Sequence, residues 1–97
     1  MTPPGPARWY EAATMKITLK LFVSLARFLP AGAKDNIVEI EVAATDSPVD
    51  VLRRLNVPLE QAHLWLLNGF YLEPDQRTEP VIKDGDTLAI WPPVAGG

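Results

Sequence analysis

Two stretches of near-strict alternation are followed by one short helical segment and then by further apolar runs, and this order limits what the chain can become. Over residues 16–23, KITLKLFV, the groups Ile17, Leu19, Leu21 and Val23 fall on one side, and Thr18, Lys20 and Phe22 on the other. Residues 36–43, NIVEIEVA, repeat the pattern with Ile37 or Val38, Ile40 and Val42 against Glu39 and Glu41. Both read as half-buried strands, paired as a hairpin. SLARFLPAGAKD between them reads as an irregular or one-turn connection. SPVDVLRRL then carries a helix start: Ser47 as cap, Pro48 at the first helical position and Asp50 completing a capping box. The expected helix covers residues 48–56 and lays Val49, Val51, Leu52 and Leu55 on a sheet.

After Pro58, LEQA reads as a short turn and HLWLL as a third strand. Asn68-Gly69 is a tight-turn signal that returns FYL as a short strand. EPDQRTEPVI reads as loop and Lys83-Asp84-Gly85-Asp86 as a turn. TLAIW closes the domain with Leu88 and Ile90 on one face, Ala89 and Trp91 on the other. Two strands joined through a helix to further strands give a mixed sheet with the helix on one face. The first and last strands, the longest and most apolar, are expected side by side in its centre. The predicted class is α+β, a ubiquitin-like β-grasp of four to five strands packed on one main helix. Leu19, Leu21, Ile40, Leu52, Leu55, Leu88 and Ile90 are its expected core.

Composition narrows function. Ninety-seven residues, 47% hydrophobic and 22% charged, make one small domain with one core. A formal charge of −3 disfavours nucleic acid and anionic membranes as partners. Without cysteine there is no disulfide, thiolate metal site or Cys nucleophile, and the lone His63 makes neither a metal cluster nor a triad. His63 reads as a strand-end residue without chemistry. No apolar run approaches a membrane span, and the Pro-rich start lacks a signal peptide's apolar segment, so the cytoplasm is expected. Residues 1–14 read as a flexible extension whose Trp9 and Tyr10 could instead clip onto the domain, leaving 15–97 as the folded unit.

The last residues, DGDTLAIWPPVAGG, run an apolar strand into Pro92-Pro93 and finish on Gly96-Gly97. Together with LKLFVSLARFLP, LNG and TEPVIKDGD, this ending resembles the MoaD/ThiS family of ubiquitin-like sulfur carriers, over about residues 15–97. Within that family the aromatic-Pro-Pro-Val ending is more similar to the molybdopterin synthase small subunits, the MoaD branch, than to the thiamine carriers. The extension before Met15 departs from the usual pattern, and the LFxxLxxFLP opening and the NVPLEQ insert also resemble other MoaD-like proteins, including ones linked to tungsten-pterin enzymes.

The resemblance implies a cycle. A ubiquitin-activating-type adenylyltransferase uses Mg-ATP to adenylate the Gly97 carboxylate, and a sulfur donor such as a cysteine desulfurase or rhodanese converts it to a thiocarboxylate. A MoaE-like large subunit of molybdopterin synthase then accepts the tail, and sulfur passes to a pterin precursor. The carrier is a non-catalytic subunit with no bound cofactor or metal. By the same resemblance Tyr71 aligns with a partner contact.

Physical reasons support those positions. Glycine at 96 and 97 leaves the activated carbonyl open to attack, cannot racemise and lets the backbone thread a narrow channel. Pro92 and Pro93 favour an extended exit, carrying Val94 and the residues after it away from the sheet, where the tail is expected to be mobile. Ordering about six tail residues costs on the order of 6–12 kcal/mol, and channel hydrogen bonds return only ~1 kcal/mol each. The body must therefore help to hold the partner, and Phe22, Tyr71 and Trp91 are the expected dock: half-burying three aromatics yields roughly 7 kcal/mol. Two alternatives use the same residues differently. A ubiquitin-like modifier would link Gly97 to target lysines, and a thiamine-type carrier would pass sulfur to another acceptor. A plain interaction domain has no need for the Gly-Gly end.

Overall fold

The computed structural model describes residues 14–93. Five strands form one mixed sheet in the order β2-β1-β5-β3-β4. They are β1 (Thr14–Leu21), β2 (Ile37–Ala43), β3 (Leu64–Leu67), β4 (Phe70–Tyr71) and β5 (Thr87–Trp91). β1 pairs antiparallel with β2 and parallel with β5, so the first and last strands are neighbours as expected and β5 is the middle strand. β3 pairs antiparallel with β5 and with β4. The helix α1 (Pro48–Arg54) packs on one face, giving the β-grasp arrangement.

Alternation decides which face is core. Ile17, Leu19 and Leu21 of β1 stand beside Leu88 and Ile90 of β5, each at most 1% exposed, with Trp65 of β3 next to Ile90. Val51 and Leu52 of α1 close over them. Of the expected core, Ile40 and Leu55 are partly buried at its margin and the other five are fully buried.

The capping box forms as expected: Ser47 Oγ accepts from the Asp50 N–H (3.1 Å) and Asp50 Oδ2 accepts from the Ser47 N–H (3.0 Å). One residue earlier, Asp46 is a second brace. Its carboxylate accepts both Arg54 guanidinium nitrogens (2.7 and 3.0 Å) and the Ala43 N–H (2.9 Å), tying the end of β2 to the last turn of α1. The paired Arg54 hydrogen bonds hold the Asp46 carboxyl below its usual range, burial opposing them. α1 ends at Arg54, short of the expected residue 56, because Leu55 leaves helical geometry and Asn56 adopts φ 63°.

Three further expectations are corrected. Val23 does not continue the inward row: it is 68% exposed. β1 makes its last ladder pair with β2 at Lys20↔Ile37 and with β5 at Leu21↔Ile90, and the Phe22 N–H adds one further bond, to the Ile90 carbonyl, before the pairing ends. The chain turns instead through Val23, at φ 57°, into a 3-10 helix (Val23–Phe28) that drops Leu25 into the core at 0% exposure. A β-branched residue with that φ is a strained outlier, at a cost of roughly 1–3 kcal/mol. Second, Pro74–Thr78 forms a 3-10 helix where loop was expected, started by Pro74 and a reciprocal capping pair of Glu73 and Gln76. Third, β1 begins at Thr14, paired with Ala43, so the strand takes in a residue assigned to the extension. The remainder of the extension, Trp9 and Tyr10 included, lies outside the described residues.

Candidate functional site at the root of the C-terminal tail

Among the described residues α1 packs on one face of the sheet only, and the second face carries a different set of side chains. Lys20 stands opposite Ala89, Ala89 opposite Leu66, and Leu66 opposite Tyr71, which forms one row across four strands. Two residues further along, Trp91 is opposite Leu64 on one side and reaches Phe22 on the other.

Phe22 and Trp91 meet because the ladder outlasts β1 by one residue. The Phe22 N–H donates to the Ile90 carbonyl (3.1 Å), with Phe22 still extended at φ −110° and ψ 154°. The two rings stack with centroids 4.3 Å apart and planes within 8°. On the opposite side the His63 N–H donates to the Trp91 carbonyl (2.9 Å), so His63 contributes its backbone here while its side chain is exposed. Pro92 is buried, and Pro93, the last described residue, is exposed. The expected site residues Val94, Gly96 and Gly97 lie outside the described residues.

Tyr71 is on the same face but not in the same cluster. Two strand spacings and two residues separate it from Trp91, about 12 Å in all. It is half exposed on the edge strand, and its hydroxyl accepts from Arg77 Nη2 (3.0 Å). The Arg77 guanidinium also lies 5.6 Å from the Tyr71 ring centroid and 5.2 Å from that of Trp65, pinning the Pro74–Thr78 segment to β3 and β4. Leu64 and Leu66 fill the gap between Tyr71 and Trp91 and were missed in the sequence reading. Their signal was present: Trp65 inward places both neighbours outward.

The motifs LNG and DGD prove to be one interlocked turn structure. Asn68, at φ 53°, donates through Nδ2 to Asp86 Oδ1 (2.9 Å), and its Oδ1 accepts from the Thr87 N–H (2.9 Å). Asp86 Oδ2 accepts from the Lys83 N–H (2.8 Å), and Asp84 Oδ1 from the Lys16 N–H (2.8 Å). These bonds fix where β5 begins, four residues before the aromatic that carries the tail.

Among the described residues no group of His, Cys, Asp or Glu is placed to hold a metal ion, and no helix is long and apolar enough to cross a membrane. Among the described residues this end of the face is aromatic and aliphatic, made of Phe22, Trp91 and Leu64, and it adjoins Pro92 and Pro93, the last described residues.

Known proteins share the family signature and the fold. The ThiS family model matches residues 30–97, which include the whole of α1, β3, β4, β5 and the tail. The fold is similar to the Haloferax volcanii HVO 2177 protein, with a TM-score of 0.68 at 23% identity, over 88% of this chain and 89% of that one. It is similar to small archaeal modifier protein 1 (SAMP1) from Methanosarcina acetivorans, with a TM-score of 0.59 at 23% identity over 87% and 98% of the two chains. The small archaeal modifier protein 1 of H. volcanii matches at 26% identity, with a TM-score of 0.57 over 82% and 99%. No curated protein matches the chain in sequence.

Proposed function

The chain belongs to the ThiS family, and from that footing we propose that it is a sulfur carrier whose chemistry resides in the carboxylate of Gly97. An adenylyltransferase of the ubiquitin-activating type, using Mg-ATP, directs that carboxylate onto the α-phosphorus of ATP. Pyrophosphate leaves and an acyl-adenylate forms. The persulfide of a cysteine desulfurase or rhodanese attacks the carbonyl carbon and AMP departs, giving an acyl disulfide. A thiol then cleaves its S–S bond, forming a disulfide with the donor's sulfur and releasing the thiocarboxylate. The acceptor is a pterin precursor on the large subunit of a molybdopterin synthase, or its tungsten-pterin counterpart, with the platform of Phe22, Leu64, Leu66, Tyr71 and Trp91 as the body's contact.

The observation that carries this reading is the mounting of the tail. β5 is the middle strand, its start is locked by Asn68 and Asp86, and its end is clamped by the Phe22 stack and two backbone hydrogen bonds. The strand that leads into the last residues is thus fixed at both ends, which suits delivery of a C-terminal carboxylate into another protein's active site. A second reading is favoured by the likeness to small archaeal modifier protein 1: a protein modifier, joined through Gly97 to lysines of other proteins after the same adenylate step.

Intact-mass measurement separates them. The protein is incubated with its activating enzyme, Mg-ATP and a sulfur donor, with and without cell extract. Exchange of one carboxylate oxygen for sulfur is the expected result. Lysine-linked adducts in the extract without thiocarboxylate would establish the modifier, and an unchanged mass under all conditions would defeat both readings.

A further inference from the structure

We propose that Val23 is a contact residue for the adenylating enzyme that receives the tail, a role that rests on the reading above. Among the described residues, positive φ occurs at Gly32, Gly69 and Gly85 and at four other positions. Three of those four are Asp35, Asn56 and Asn68, whose short polar side chains tolerate that conformation. Val23 is the exception, a β-branched residue at φ 57°. The turn itself has a use, since it brings Leu25 into the core, but a glycine or asparagine would make it without strain. Nor does the valine side chain serve the core: it is 68% exposed, second to Phe70 among the large hydrophobics of the described residues. Strain and exposure together are a cost that the domain does not recover from its own contacts.

Position supplies the recovery. Val23 directly follows Phe22, whose ring lies on Trp91, two residues before the exit at Pro93. Four residues follow Pro93, and fully extended they span at most about 14 Å. An enzyme that holds the Gly97 carboxylate therefore has its surface within that distance of Pro93, and a specific interface covers roughly 800 Å² on each partner. Such a footprint includes the Phe22–Trp91 end of the sheet and the aliphatic side chain beside it. The partner's matching feature is an apolar hollow at the rim of the channel that takes the tail.

Pyrophosphate exchange by the purified adenylyltransferase, with the full-length carrier as varied substrate, tests the assignment alongside thermal unfolding. Val23→Asn and Val23→Gly remove the contact and the strain together. Both are expected to unfold a few degrees higher than wild type, while KM for the carrier rises about tenfold, the factor for one covered aliphatic group. Val23→Thr keeps the branched shape and the strain but not the apolar surface, so its KM should rise with the unfolding temperature unchanged. Val23→Ile should keep the wild-type KM. Stabilised Asn and Gly variants with wild-type KM would overturn the proposal while leaving the adenylate reading intact. A wild-type carrier that supports no exchange defeats that reading, and the Val23 role with it. A wild type that dimerises where Val23→Asn does not would assign the residue to a contact between copies and overturn the proposal as well.

Discussion

The indole of Trp91 rests flat on the ring of Phe22, 4.3 Å between centroids. Each ring covers one face of the other, and both residues stay partly exposed. The stack therefore joins β5 to the segment that follows β1, and its contribution to stability can be measured. Phe22→Leu and Trp91→Leu, made singly and together, should show a coupling in urea unfolding of about 0.5–1.5 kcal/mol, the amount aromatic pairs add beyond buried area. Additive effects would mean that the stack contributes area alone.

Deleting Gly97 should abolish adenylation and sulfur transfer but keep binding to the activating enzyme and the large subunit within about tenfold, because the body supplies most of the net affinity. Trp91→Ala should do the reverse. It removes up to ~2–3 kcal/mol of aromatic burial, roughly 30- to 150-fold in Kd. A chemically thiocarboxylated Trp91→Ala carrier should still transfer sulfur when the partner is in excess. Titration calorimetry and single-turnover transfer check the two halves.

Asp46 makes stability depend on pH. Its folded pKa lies below the unfolded value because Arg54 and the Ala43 N–H bind the charged form. The stabilisation is complete above the unfolded pKa of about 3.9, and is lost as pH falls through the folded pKa. Asp46→Asn should cost about 1–2 kcal/mol at pH 7, limited by the exposure of Arg54 to solvent. The difference from wild type should close as pH drops below 4. Urea midpoints across that range, at constant ionic strength, provide the measurement.

Asn68→Ala should destabilise by about 1–3 kcal/mol, since it removes two hydrogen bonds and places alanine at positive φ. Asn68→Gly should recover the conformational part only. Thermal unfolding of the pair distinguishes turn geometry from the link to Asp86.

Legibility followed range along the chain. The helix start was readable because Ser47 and Asp50 are three residues apart and meet within one turn. The Asn68-Gly69 turn was equally local. Val23 and Leu25 were not separable, because apolar groups at 21, 23 and 25 suit a continued strand and a departing turn alike. What ended β1 was the disappearance of partners on β2 and β5, which lie 17 and 69 positions away at the last pairs, Lys20 being opposite Ile37 and Leu21 opposite Ile90. At the site, Phe22 and Trp91 could be placed on adjacent strands and one face by alternation. Their stacking was not written in either segment, since it requires the parallel register between them. Tyr71 joined the same face, but its distance from the others depended on β3 lying between.

The central position of β5 has a consequence during synthesis. The strand that fills the middle of the sheet is the last to be made, and it is flanked by β1 from the beginning of the chain. Until the ribosome releases it, β1–β2 and β3–β4 have no common neighbour and Leu19, Leu21 and Trp65 have no core to enter. A product that terminates before Thr87 lacks the keystone and stays unfolded, open to proteolysis. The folded population is thereby restricted to molecules that carry the strand preceding the C-terminal residues.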